Sequence, residues 1–348
     1  MIRMINRREF LPLAGAGAVL APTIVAGCAT STEPDPLSIP GTIAFQRVTS
    51  SRSDIYIMDW SADNQINLTA DIPGSSSAPF WSPDGSAIFF DRIVDGNRFI
   101  ARIDDLTNPS ESLATVVDLE GDQLWPIVHS EGELLVYHHL ETPGSTAGYL
   151  AAYDMNSSSV ISMTENVVGN AGDNERGRSE DKQFLPGDRK VVFTGYAPKV
   201  GIFDPDTGEV VNPYEAYGTE TGLYQVNTNS VCIPSVGSRC FGTGMTPSGG
   251  HDIIVSWELM GNGTTTSLHR HVQRMTKTRE MGDIIQFNDN YIMLVSFKPG
   301  HVTSSTLSTI AFINIGHGEK NNVRISTARF QNMEGNNYWP RHTFTEHF

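Results

Sequence analysis

The chemistry this chain could offer rests on ten histidines, three cysteines and a scatter of carboxylates. His138-His139 lies in an apolar run with strand character, where neighbours point to opposite faces, so the two cannot hold one metal together. His269 and His271 would share a face of a strand, but two ligands fall short of the three plus water that a catalytic zinc takes. Asp204-Pro205-Asp206-Thr207-Gly208 is only superficially like a calcium loop and reads as a hairpin turn. Gly242-Thr243-Gly244 is not followed by a helical pattern, so no helix dipole awaits a phosphate. There is no Gly-x-Ser-x-Gly elbow; a Ser/His/Asp triad assembled from distant segments stays open. Cys232 and Cys240 are near enough to form a disulfide outside the cytoplasm, worth about 2–3 kcal/mol on the chain-entropy model. A zinc pair there lacks a second Cys or His pair at the right spacing. The expectation is therefore no catalytic constellation, no metal and no cofactor.

The first residues read as an address. Arg3, Arg7 and Arg8 precede an apolar stretch from Leu11 to Ala26 that is too short to span a bilayer, which takes about 20 residues. Asn6-Arg7-Arg8-Glu9-Phe10-Leu11 resembles a twin-arginine export signal. Val25-Ala26-Gly27-Cys28 resembles the lipobox of bacterial lipoproteins, in which the cysteine is acylated and becomes the first residue. Several acyl chains hold a protein stably at a membrane. The expected division is residues 1–27 as signal, 28–40 as lipidated Cys28 with a polar, Pro-broken tether, and 41–348 as the folded part. Ala29 after the cysteine favours the outer membrane over the inner, so the location expected is periplasm or cell surface. The formal net charge is −15, and removing three Arg and one Glu with the signal leaves −17. Such a chain repels nucleic-acid backbones.

The elements that would position any site come from a repeat. Its clearest copy runs Thr42-Ile43-Ala44-Phe45, Asp54-Ile55-Tyr56-Ile57-Met58-Asp59, Asn67-Leu68-Thr69, then Ala78-Pro79-Phe80-Trp81-Ser82-Pro83-Asp84-Gly85. The runs are β-branched and aromatic, bounded by turn formers. In Ser-Pro-Asp-Gly, proline presets φ, aspartate bonds the backbone ahead and glycine accepts positive φ. Further copies restart strands near residues 87, 134, 190, 251 and 291, about 50 residues apart. The later turns are read at Trp125–Gly132, Phe184–Asp188, Met245–Gly249 and Phe287–Asn290, with a charged insertion at Glu165–Lys182. Six units of this length form a propeller. The expected mature chain starts with the strand that follows the turn and ends, at Trp339–Thr345, with the strand that precedes it. The fold expected is all-β: a six-bladed propeller with four-stranded antiparallel blades, closed by pairing of the N- and C-terminal strands.

This repeat resembles that of the TolB propeller family across essentially all of the mature chain. In that family the segments before each turn run beside a central channel. The resemblance implies channel-lining roles for Trp125, His129, Gln183, Arg239, Gln286, Arg341 and His342. It implies a non-enzymatic envelope scaffold, monomeric, binding a protein or peptide. The alternative is a propeller enzyme acting on a carbohydrate or peptide. His342 and His347 resemble the histidine-rich last blade of oligogalacturonate lyases, but Arg341 stands where that motif has a paired histidine.

Overall fold

The computed structural model describes residues 42–49, 51–59, 64–143, 145, 147–165, 168–170, 182–185, 188–196 and 199–211. Beyond these it describes the strands between 226 and 343, as backbone. The chain divides into Met1–Ile39 and Pro40–Phe348. The expected signal, Cys28 and tether lie outside the described residues.

Strands β1 (Thr42–Val48), β2 (Ser53–Met58) and β3 (Gln65–Asn67) begin the first sheet. The second holds β4 (Ser75–Trp81), β5 (Ile88–Val94), β6 (Asn97–Ile103) and β7 (Leu113–Val117). The third holds β8 (Asp122–Val128), β9 (Leu134–Leu140), β10 (Ala147–Asp154) and β11 (Ser159–Met163), with β12 (Val168–Asn170) also paired to β10. The fourth holds β13 (Lys182–Phe184), β14 (Val191–Tyr196), β15 (Lys199–Phe203) and β16 (Val210–Val211). The fifth holds β17 (Val226–Cys232), β18 (Arg239–Met245), β19 (His251–Glu258) and β20 (His269–His271). The sixth holds β21 (Glu280–Asn288), β22 (Tyr291–Phe297), β23 (Thr309–Asn314) and β24 (Thr327–Gln331). Finally β25 (Asn336–Thr343) returns to the first sheet, in the order β25-β1-β2-β3. Every pairing is antiparallel, Thr343 lies opposite Thr42 and Asn336 opposite Val48.

The repeat turn is visible three times in the backbone. Ser82 N–H bonds Ala87 O at 2.8 Å, and Gly85 N–H bonds Ser82 O at 2.9 Å. His129 to Leu134 and Gly132 to His129 repeat this at 2.8 Å each, as do Leu185 to Lys190 (2.8 Å) and Asp188 to Leu185 (3.1 Å). Between β5 and β6 the two-residue turn Asp95-Gly96 has φ of 52° and 86°, the doubly left-handed form that matches strand twist. The Leu-Thr and Met-Thr pieces of the repeat also have a job. Thr69 Oγ1 accepts the Ile55 N–H at 3.0 Å, and Thr164 Oγ1 accepts the Leu150 N–H at 3.2 Å. Each hydroxyl thus satisfies a buried donor in the third strand of its sheet.

Both faces of the inner strands are buried, as their unbroken apolar runs require. Ile88 and Phe90 pack with Ala44, Ile55 and Ile57 of the first sheet. From the other face Phe89 and Ile100 pack with Leu135, Tyr137 and Ala151 of the third. Leu134, Val136 and Leu150 then meet Val191, Phe193 and Phe203 of the fourth. Each such side chain contributes about 1.5–3 kcal/mol of burial, so consecutive sheets stabilise one another.

The fifth sheet corrects the repeat reading. The turn at 245–249 falls between its second and third strands, not its first and second. The leading strand is β17, and six residues containing Pro234 and Gly237 separate it from β18. The second strand of this repeat therefore starts at Arg239, not near 251.

Candidate functional site

The leading strands carry a deformation that the sequence marks with proline. Ala78 and Trp125, each followed by Pro, have φ of 50° and 53°. At both places the ladder to the next strand shifts register, between Ser77 and Phe80 and between Leu124 and Ile127. A shift also occurs on β25 between Tyr338 and Arg341, around Trp339-Pro340. A proline cannot donate to the ladder, so it belongs at a bulge. Left-handed φ in a non-glycine residue is strain that surrounding contacts must hold.

Those contacts come from the second strand of the preceding sheet. Gln46 on β1 points its Oε1 at the Ala78 N–H (3.4 Å), while its Nε2 donates to Ser53 Oγ at 2.5 Å. Ser53 Oγ donates in turn to Ser76 O at 2.6 Å. Asp91 is the register equivalent of Gln46, and Arg98 of Ser53. Ser77 Oγ donates to Asp91 Oδ2 at 2.8 Å, and Arg98 Nε lies 3.4 Å from the same oxygen. Asp91 is fully buried, and burial raises its pKa against the opposing pull of Arg98, Ser77 and the Trp125 backbone N–H. In the third sheet the equivalent pair is His138 and Gly148. A methyl group on Gly148 would stand 2.6 Å from His138 Nε2, so the imidazole fills the place of the missing side chain.

His138 faces the fourth sheet. Its ring centroid is 5.3 Å from that of Trp125, and Lys182 Nζ lies 5.9 Å from the Trp125 centroid. Burial, with Lys182 and His139 nearby, lowers the His138 pKa to about 3. It is therefore a neutral imidazole at physiological pH. His139 packs edge-on against Tyr137 with centroids 6.4 Å apart, and burial lowers its pKa as well. Among the described residues no group of three His, Cys, Asp or Glu is placed to hold a metal. Asp91 and His138 are both sealed from solvent, at 0% and 2% exposure. What this level of the strands offers a solute is the half-buried Trp125 ring and the half-buried Gln183.

The residues expected to line a channel are distributed unevenly. Trp125 sits on β8 and Gln183 on β13, both leading strands. His129 lies beyond the end of β8, in the repeat turn. There its Nδ1 faces the Glu131 N–H at 3.4 Å and its ring meets Phe184 edge-on at 5.0 Å. It is 6% exposed and fastens a turn to the next sheet. Arg239 opens β18, after the turn and not before it. Gln286 lies on leading strand β21, while Arg341 and His342 lie on β25 opposite Ala44 and Ile43. Cys232 ends β17 opposite Phe241, the neighbour of Cys240 on β18. Asp204–Gly208 is a hairpin turn closed by Gly208 N–H to Asp204 O at 2.8 Å. Sequence reading missed Asp91, Arg98 and Lys182. The available signal was a carboxylate ending the run Ile88-Phe89-Phe90, where only a buried, paired acid fits.

No family model matches the chain, and no curated protein matches it. Solved structures do. TolB from Acinetobacter baumannii aligns at 12% identity over 87% of this chain, with a TM-score of 0.57. A putative TolB from Agrobacterium tumefaciens aligns at 14% identity over 88% of this chain and 99% of its own, with a TM-score of 0.50. A chain of a nidogen/laminin complex aligns at 9% identity over 86% and 97%, with a TM-score of 0.54. This chain spans 66% of the Acinetobacter protein, just under two thirds. At such identities the likeness shows the fold: all-β, antiparallel and propeller-like in the manner of TolB.

Proposed function

We propose that the chain is a six-bladed propeller tethered through Cys28 in the cell envelope, at the outer membrane, and acting there as a non-enzymatic scaffold for a protein or peptide. The observation that carries this reading is the set of antiparallel sheets, the first completed by β25, together with the likeness to two TolB structures. Trp125, Gln183, Gln286, Arg341 and His342 are the proposed partner contacts along the channel. Trp125 supplies a large rigid surface of the kind that anchors interfaces. The Cys232–Cys240 disulfide, the monomeric state and the absence of nucleic-acid binding belong to the same proposal. Export through Arg7-Arg8 and acylation of Cys28 account for the location.

The test is Cys28→Ser expressed in a Gram-negative host. It is expected to move the protein from the membrane to the soluble fraction, and retention at the membrane refutes the anchor. Affinity purification of the wild type from envelopes then tests the scaffold. A stoichiometric transition metal in the purified protein would overturn the non-enzymatic reading.

A further inference from the structure

Asparagine followed by any residue but proline, and then by serine or threonine, is the acceptor pattern for N-linked glycans in exported chains. The sequence holds it three times, at Asn67-Leu68-Thr69, Asn156-Ser157-Ser158 and Asn262-Gly263-Thr264, while Asn108-Pro109-Ser110 is blocked by its proline. Bacterial enzymes that attach such glycans also read an acid two residues ahead of the asparagine. Asp154 supplies it for Asn156, whereas Asn67 has Gln65 there and Asn262 has Met260.

The fold separates the first two further. Asn67 is half-buried at the end of β3, and its Oδ1 accepts the Thr69 N–H at 3.0 Å. Thr69 is 0% exposed, and its hydroxyl is used twice: it accepts the Ile55 N–H at 3.0 Å and donates to Asp54 Oδ1 at 2.9 Å. No enzyme can grip that hydroxyl without opening the first sheet. Asn156, Ser157 and Ser158 are all exposed, in the turn that joins β10 to the edge strand β11. Among the described residues neither the Asn156 carboxamide nor the Ser158 hydroxyl has a hydrogen-bond partner. Ser158 stands at a φ of 54°. Asp154 Oδ1 accepts the Asn156 N–H at 2.8 Å and the Ser157 N–H at 3.3 Å, bonds that hold its carboxyl below the usual carboxylate range and keep it ionised. Exposed turns at a sheet edge open locally at little cost, so this one can extend into an enzyme's groove.

We propose that Asn156 is an N-glycosylation acceptor, with Ser158 as the hydroxyl and Asp154 as the acid that the transferring enzyme reads. The donor is an oligosaccharide carried on a lipid diphosphate. Asn156 Nδ2 forms a bond to the anomeric carbon, the bond from that carbon to the phosphate oxygen breaks, the lipid diphosphate leaves, and one amide proton passes to a base of the enzyme. In the cell this rests on the export proposed above, because such donors present their sugars on the far side of the inner membrane.

The test needs no export. The purified, folded full chain is incubated with a purified bacterial oligosaccharyltransferase and its lipid-linked oligosaccharide, and read by intact mass and peptide mapping. The chain is expected to gain the mass of one oligosaccharide, mapped to Asn156. Asn156→Gln and Ser158→Ala are each expected to abolish the gain, Asp154→Asn to slow it, and Asn67→Gln to leave it unchanged. These side chains are exposed, and unchanged thermal melts of the variants separate a lost acceptor from a lost fold. No gain in mass, a gain mapped to Asn67 or Asn262 instead, or a gain that survives Asn156→Gln would each overturn the proposal. Any of these leaves the export reading standing, since fractionation of Cys28→Ser tests that separately.

Discussion

Asp91 with Arg98 and His138 with Gly148 occupy the same two register positions in neighbouring sheets, and Gln46 with Ser53 occupies them in a third. The first pair is a buried acid held by a cation that still touches solvent. The second is a neutral ring in the space left by a glycine. The third is a pair of uncharged hydrogen-bonding groups. Each pair has its first member at one level of the second strand and its second on the third, and Gln46 accepts from the left-handed bulge at Ala78 in the next sheet. The backbone is repeated while the chemistry at the sheet-to-sheet contact is not. What is conserved between copies is the need to occupy one volume and satisfy the bulge, which several residue pairs can do.

The difference predicts different sensitivities. Arg98→Met is expected to have the largest effect, because it strands Asp91 in the interior. Loss of one partner from a buried pair costs about 3–5 kcal/mol, and Asp91→Asn in the same chain should recover part of it. Denaturant unfolding of the single and double variants measures this. If Arg98→Met alone is neutral, the pair does not hold the bulge.

Gly148→Ala should come next, at about 2–3 kcal/mol of overpacking. Its methyl would lie 2.3 Å from His139 O and 2.6 Å from His138 Nε2, and a backbone carbonyl cannot step aside cheaply. The corresponding serine, Ser53, should accept alanine with a much smaller loss, of about 1 kcal/mol. Thermal melts of the two variants side by side would show whether the sites differ as described.

At neutral pH the smallest effect is that of His138, which shows itself only as a pH dependence. His138 has its pKa lowered to about 3, from an unfolded value near 6.5. Its contribution is therefore complete above about pH 6.5 and is lost as pH falls from there toward 3. Within that window the unfolded chain holds a proton that the native one refuses, a slope of about 1.4 kcal/mol per pH unit. His138→Gln should flatten the curve of stability against pH below neutrality. An unchanged slope would mean that His138 is protonated in the native state.

Much of the fold was legible because turn chemistry is local. Strand starts expected near 42, 87, 134, 190 and 291 correspond to β1, β5, β9, β14 and β22. The fifth repeat slipped because both Pro234–Gly237 and Pro247–Gly249 carry turn residues, and pairing of distant strands decides which one opens the second strand. The contact level was harder to read. Asp91 and Arg98 meet only after the Asp95-Gly96 turn has set the register of β5 against β6. His138 and Trp125 stood in plain view, but their contact depends on a register shift between Leu124 and Ile127 that sequence alternation does not announce. His129 looked like a strand residue and is the first residue of a turn, since histidine there takes the place of Ser82 in the better-preserved copy.

The pairing of β25 with β1 brings the first and last of the described strands into one sheet. Among the described residues it is the strand pairing of greatest sequence separation, and contacts of that kind are slow to form because the loop they close is so long. The first sheet must wait, short of one strand, until β25 has been synthesised. Until then β1 presents an open edge to whatever other strand is nearby. A chain lacking β25 should therefore fail by aggregating, well before it fails by losing the hydrophobic contacts between the other sheets.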